Sequence, residues 1–205
     1  MKALIWEEKD LDLAAEALLA GEVICFPTET VYGIGVIATQ KAAFDKLVAA
    51  KRRSPEKPFS MMVASLEQAS HYLEVGEKGK RVMETFMPGE ITVLGKAKEG
   101  LPKWVTLGTP VLGVRIPAMP FILRLIEKVG APLLVTSANH SGEPTSTSFE
   151  ETQKIFGEEV FAIVKGNCVS KTASTIVNIV SENQISLVRQ GPIPFEEIQK
   201  VWEGK

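Results

Sequence analysis

The stretch Thr175-Ile176-Val177-Asn178-Ile179-Val180-Ser181-Glu182-Asn183-Gln184-Ile185-Ser186-Leu187-Val188 holds two β-branched runs with no helix between them. Parallel neighbours need a crossover of a dozen or more residues, whereas antiparallel strands need only a turn, so these two runs are expected to pair antiparallel. Upstream, apolar runs alternate with helical patterns. Strands are expected at Glu22–Phe26, Ile34–Ile37, Phe59–Val63, Ile91–Leu94, Val111–Ile116, Leu133–Val135 and Val160–Val164. Helices are expected at Leu11–Ala20, with Asp10 as cap and Gly21 as stop, and at Gln40–Lys51. Further helices should follow the Ser65/Gln68 capping box, carry Met83 and Phe86, span Phe121–Val129 and Phe149–Phe156, and begin after Phe195. The fold class is therefore α/β: an open twisted sheet of mixed parallel and antiparallel strands flanked by helices, not a pure doubly wound sheet.

At 205 residues, with 45% apolar and 23% charged side chains, the chain is read as one domain over residues 1–205 with an ordinary soluble composition. A net charge of −2 argues against a protein that coats nucleic acid through a broad basic surface, and leaves room for a local basic pocket. The N-terminus lacks a signal peptide's apolar core and no run approaches a membrane span, so a cytoplasmic location is expected. Cys25 and Cys168 form no C-x-x-C pair and are read as reduced packing residues. His71 and His140 are too few and too isolated for zinc, so any catalytic metal should arrive with a substrate.

Four segments carry more small hydroxyls, glycines and cations than packing requires. Pro27-Thr28-Glu29-Thr30-Val31-Tyr32-Gly33 interrupts two apolar strands. Lys51-Arg52-Arg53-Ser54-Pro55-Glu56-Lys57-Pro58 ends a helix with four cations; these either complement its dipole or hold a polyphosphate. Thr136-Ser137-Ala138-Asn139-His140-Ser141-Gly142 follows a strand and is either an Asx turn or an anion-binding nest. Ser170-Lys171-Thr172-Ala173-Ser174-Thr175-Ile176 enters a strand beside a lysine. Pro144–Ser148 reads as a mobile active-site loop. Neither a Walker A sequence nor a Rossmann G-x-G-x-x-G is present, and without a G-x-S-x-G elbow a side-chain nucleophile is disfavoured.

Taken in order, Pro27–Gly33, Lys51-x-Arg53 with Lys57-Pro58, Pro88-Gly89 with Thr92, Val114-Arg115-Ile116-Pro117, Thr136–Asn139 with Ser141-Gly142, Ser174-Thr175-Ile176 and Arg189-x-Gly191 closely resemble the YrdC/TsaC family of threonylcarbamoyl-AMP synthases. The resemblance covers nearly the whole chain. It implies a YrdC-like sheet with a cationic concave cleft, in the short form without an extra C-terminal domain. The implied reaction joins L-threonine, bicarbonate or CO2 and ATP, with Mg2+ accompanying ATP and no metal ligands from the protein. A tRNA threonylcarbamoyl transferase complex would use the product, with tRNA contact by this chain as a further option.

By the same resemblance, Lys51, Arg53 and Lys57 are the catalytic cations. Thr28, Arg115, Thr136 and Ser174 bind threonine or its carbamate, Arg115 through a bidentate fork to the carboxylate. Lys51, Arg53, Ser137, Asn139, Ser146 and Arg189 bind the nucleotide. The chain departs from the family pattern at Glu90, where Pro-Gly-Pro is common, and at Ser54, where a proline is common. A non-catalytic RNA-binding module, or a divergent paralogue of the same fold, is the alternative reading.

Overall fold

The computed structural model describes residues 2–52 and 59–205. In chain order, β1 (Leu4–Trp6), a 3-10 turn (Glu8–Asp10), α1 (Leu11–Leu19), β2 (Ile24–Phe26), β3 (Gly33–Ile37) and α2 (Lys41–Ala50) form the first part. There follow β4 (Ser60–Met62), α3 (Leu66–Ser70), β5 (Leu73–Glu74), α4 (Glu77–Phe86), β6 (Ile91–Ala97), α5 (Lys103–Thr106) and β7 (Val111–Arg115). The chain closes with α6 (Pro120–Val129), β8 (Leu133–Ser137), α7 (Phe149–Phe156), β9 (Ala162–Val164), β10 (Thr175–Asn178), β11 (Ser186–Arg189) and α8 (Phe195–Glu203).

These strands make one mixed sheet in the order β1-β9-β2-β3-β8-β4-β7-β6-β10-β11, with β5 paired to the far end of β6. β10 and β11 pair antiparallel, as the helix-free connection requires, while β10 lies parallel to β6. β2 and β3 are also antiparallel, so the polar Pro27–Tyr32 segment turns the chain at one end of the sheet.

Strand register divides the sheet into two unlike faces. On one, Ile34, Val36, Leu134, Met61, Val114, Val93 and Val177 are buried in the main core. The other follows the pairs Gly33↔Ser137, Gly35↔Val135, Ser60↔Val135, Ser60↔Gly113, Met62↔Arg115, Thr92↔Ile176 and Ile176↔Arg189. Small and polar residues recur along this second face and leave it hollow. A Cβ on Gly35 would sit 2.9 Å from Val135 Cγ2 and 3.0 Å from the Leu134 carbonyl oxygen, so the hollow's floor is packed to contact.

Helices pair among themselves around the sheet: α1 packs on α6, α4 on α8, and α2 against β3. Each buries an apolar stripe, as Phe121, Ile122, Leu125, Ile126 and Val129 do on α6. Half of the expected box at Ser65 forms: Gln68 N–H donates to Ser65 Oγ at 3.1 Å, but Gln68 Oε1 accepts from Ala64 N–H at 2.7 Å, one residue before the cap, and not from Ser65 N–H. Asp10 does not cap α1 through its side chain; its carboxylate accepts from Glu7 N–H across the preceding turn. β1, β5 and α5 fall outside the expected elements, since two to four residues carry no readable periodicity. The Pro144–Ser148 stretch, expected as a mobile loop, is tied from both sides: Ser146 N–H donates to Ala138 O and Ser146 O accepts from Tyr32 N–H, both at 3.0 Å. Ser148 Oγ then caps α7.

Candidate active site

A cavity of about 230 Å³ opens on the hollow face. Its floor is Gly33, Val135, Ser137, Ser60, Met62, Arg115, Thr92 and Ile176, and its walls include Thr28, Thr30, Val31, Tyr32, Ala173, Ser174 and Arg189. Six of the expected site residues meet here: Thr28, Arg115, Thr136, Ser137, Ser174 and Arg189. Thr136 is in register with Ile34, so by alternation it belongs to the core face and borders the cavity from the end of β8. Antiparallel turns and crossovers gather these positions, which span most of the sequence.

The Pro27–Tyr32 turn is held by its own hydroxyls. Thr28 Oγ1 donates to Val31 O at 2.7 Å, lies 2.8 Å from Thr30 Oγ1, and accepts from Thr30 and Val31 N–H. Tyr32 is fully buried, and its hydroxyl is within donating distance of Gly166 O at 3.0 Å and Val164 O at 3.2 Å, which makes it a shaping residue.

Glu29 leaves this turn to meet Arg115 in an ion pair of 2.7 Å, with side-chain exposures of 9% and 6%. Its Oε1 also accepts from Ala118 N–H at 3.0 Å. Glu29 Oε2 and Arg115 Nε are both buried without a partner, so the arginine is anchored while its hydrogen-bonding capacity is not exhausted. No role for Glu29 was expected from sequence; a lone carboxylate inside a Thr-rich turn reveals its partner only when β7 lies beside it.

On the opposite wall Arg189 donates through Nε (3.1 Å) and Nη2 (2.8 Å) to Ser174 O, and Nη2 lies 3.3 Å from Ser174 Oγ. Ser174 Oγ in turn is 2.9 Å from Thr92 Oγ1. Burial, and then the nearby charge of Arg115, lower the pKa of Arg189. Two guanidinium groups facing one small cavity are suited to anionic ligand groups. Among the described residues they are the cations that line it.

Lys51, Asn139 and Ser146 sit beside the cavity rather than on its lining. Lys51 is 1% exposed, and its ammonium donates to Ser137 O at 2.6 Å, to Asn139 O, and to Asn139 Oδ1 at 3.1 Å. Asn139 Oδ1 also accepts from Ser137 Oγ at 2.7 Å, and Asn139 Nδ2 donates to His140 O and Glu143 O. The lysine thus stiffens the Ser137–Asn139 turn from below. Ser146 is buried with its hydroxyl unpartnered. Arg53 and Lys57 lie outside the described residues. Among the described residues no group of three or more His, Cys, Asp or Glu is placed to hold a metal ion, and no helix is long and apolar enough to cross a membrane.

A family model named Sua5_yciO_yrdC, described as telomere recombination, matches residues 16–191. The chain belongs to this Sua5/YciO/YrdC family. A curated relative from Pyrococcus abyssi, threonylcarbamoyl-AMP synthase, is 33% identical over 95% of this chain and 58% of its own length. The synthase of the same name from Rattus norvegicus is 30% identical over 98% of this chain and 72% of its own. The solved structure of P. abyssi Sua5 complexed with L-threonine superposes with a TM-score of 0.91 at 32% identity, covering 98% of this chain and 61% of that one. Among Sua5/YciO/YrdC relatives, the chain therefore spans less than two thirds of the P. abyssi protein. The mixed sheet with its flanking helices is the family's fold.

Proposed function

We propose that this chain is a threonylcarbamoyl-AMP synthase, a nucleotidyltransferase that converts L-threonine, bicarbonate or CO2 and MgATP into threonylcarbamoyl-AMP and pyrophosphate. The observation that carries the proposal is the gathering of Thr28, Arg115, Thr136, Ser137, Ser174 and Arg189 around one small polar cavity in a member of this family. A cavity with two guanidiniums and several hydroxyls suits a carboxylate, a carbamate and a phosphate better than an apolar ligand.

In this proposal Arg115, steadied by Glu29, takes the threonine carboxylate, while Thr28 and the backbone of Thr136 at the end of β8 contact the rest of the amino acid. Its neutral amine attacks the carbon of bicarbonate with loss of water, or that of CO2 with loss of an amine proton to solvent, giving an N-carboxylate that Ser174 and Arg189 hold away from water. An oxygen of that group attacks the α-phosphorus; the bond to the pyrophosphate oxygen breaks and pyrophosphate leaves. Ser137, Asn139, Ser146 and Arg189 position the nucleotide. Arg53 and Lys57 are assigned to neutralising its phosphates, and Lys51 contributes its charge through the turn it holds. Mg2+ enters on the nucleotide. Catalysis rests on positioning and charge stabilisation, which require no side-chain nucleophile. The adenylate then passes, in the cytoplasm, to a transferase that modifies tRNA.

Incubation with MgATP, L-threonine and labelled bicarbonate should give a labelled adenylate and threonine-dependent pyrophosphate release; an unlabelled adenylate refutes the proposal. Arg115→Ala should raise the threonine requirement more than the ATP requirement, and equal losses would remove its role as a carboxylate clamp.

A further inference from the structure

Thr92 lies on β6, is 2% exposed, and lines the cavity floor in register with Ile176 of β10. Its methyl group points toward Gly113, where a Cβ would meet Thr92 Cγ2 at 3.7 Å, and its hydroxyl is directed instead across the β6–β10 seam to Ser174 Oγ at 2.9 Å. Ser174 is 4% exposed. Its carbonyl is gripped twice by Arg189, which fixes the backbone that carries the hydroxyl.

Either hydroxyl of this pair has the geometry to donate to the other. Two hydroxyls carry two protons and four lone pairs. Arg189 can only donate, and its Nη2 approaches Ser174 Oγ from the wall side at 3.3 Å. One hydroxyl proton is spent between Thr92 and Ser174. Among the described residues the pair's remaining proton meets no protein acceptor, and both side chains border the cavity. A buried hydroxyl donor left over in a cavity lined by two arginines is matched to an anionic oxygen.

We propose that Thr92 is a positioning residue for substrate binding: its O–H donates to Ser174 Oγ, so that Ser174 turns its own proton into the cavity as a donor to the carboxylate or N-carboxylate of threonine. This rests on the reading of Ser174 as a contact of threonine or its carbamate. Donation from Thr92 polarises the Ser174 hydroxyl and fixes its rotor, two effects that strengthen the outgoing hydrogen bond. Loss of one such neutral hydrogen bond corresponds to about a 3- to 10-fold change in affinity.

The test compares Thr92→Val, Thr92→Ser, Ser174→Ala and the double variant Thr92→Val/Ser174→Ala. The readouts are KM for threonine and for ATP in pyrophosphate release, and L-threonine titration by calorimetry. Valine keeps the shape and the β-branched character that a buried strand favours, so the fold should persist. Thr92→Val should raise the threonine KM and Kd about 3- to 10-fold and leave the ATP KM within about twofold. Thr92→Ser should restore threonine binding, and the double variant should be no worse than Ser174→Ala alone. If Ser174→Ala weakens threonine binding while Thr92→Val does not, the inference is wrong. Parallel losses for both substrates that Thr92→Ser fails to repair would mark Thr92 as structural only, which also overturns it. If Ser174→Ala leaves threonine binding unchanged, or the native protein binds no threonine, the functional reading itself fails.

Discussion

Removing Glu29 should be among the costliest single changes that this site admits. Its carboxylate faces Arg115 at 2.7 Å with both side chains less than a tenth exposed, and it also accepts from Ala118 N–H at 3.0 Å. Truncation to alanine leaves a buried guanidinium without its counter-charge, which costs about 3–5 kcal/mol. A chain of this length loses about 2–4 °C of Tm per kcal/mol, so Glu29→Ala should melt about 6–20 °C lower. Glu29→Gln keeps an acceptor for both donors and loses only the charge assistance, which limits its cost to about 1–2 kcal/mol. The native pair is itself imperfect, because Glu29 Oε2 and Arg115 Nε have no partners. Replacing both members, as in Glu29→Gln/Arg115→Met, should therefore recover much of the stability lost in Glu29→Ala. Urea unfolding at neutral pH, followed by tryptophan fluorescence, measures each difference. A loss below about 1 kcal/mol for Glu29→Ala at unchanged m-value, or a double variant less stable than Glu29→Ala, would refute the argument.

Gly191→Ala would place a Cβ 2.3 Å from Thr175 N and 2.4 Å from Ala173 O, both backbone atoms with little freedom to move. It should cost at least about 1–3 kcal/mol by denaturant unfolding and disturb the Arg189–Ser174 contact, and a neutral result would contradict the packing. Burial pushes the Glu159 carboxyl up, but hydrogen bonds from His140 and Arg52 outweigh it and hold its pKa below the ordinary value. The stability this gives is fully present above the unfolded carboxylate pKa and is lost as pH falls through the folded one, so Glu159→Gln should flatten the acid limb below about pH 4.5. Unfolding curves from pH 3 to 7 that stay parallel for the two proteins would exclude this. Burial raises the thiol pKa of Cys25 far above its usual value, only partly opposed by the charge of Lys51, and burial raises that of Cys168 as well. Both should resist a thiol reagent in the native protein and react in urea; rapid native labelling would show that they are not closed off.

Much of the architecture follows from the chain read alone. The β-branched runs at Thr175–Val180 and Ile185–Val188, with no helix between them, dictate an antiparallel closing pair, while the upstream alternation dictates helices over a largely apolar sheet. Resemblance of the ordered motifs to a known family also marks Thr28, Arg115, Thr136, Ser137, Ser174 and Arg189; of these, residue chemistry alone singles out the hydroxyl-rich segments around Thr28, Ser137 and Ser174. These six meet at one cavity. What local sequence cannot carry is partner choice. The antiparallel register of β3 against β8, and of β8 against β4, puts Gly33, Gly35, Ser60 and Ser137 on one face and creates the hollow. Glu29 finds Arg115 across 86 positions of sequence, and Thr92 finds Ser174 across 82. Lys51, one of a run of cations, is buried beneath the Ser137–Asn139 turn, where Ser137 O, Asn139 O and Asn139 Oδ1 accept from its ammonium. Composition and periodicity report the needs of each segment for burial and hydrogen bonds; which distant group meets those needs is decided by strand order and register.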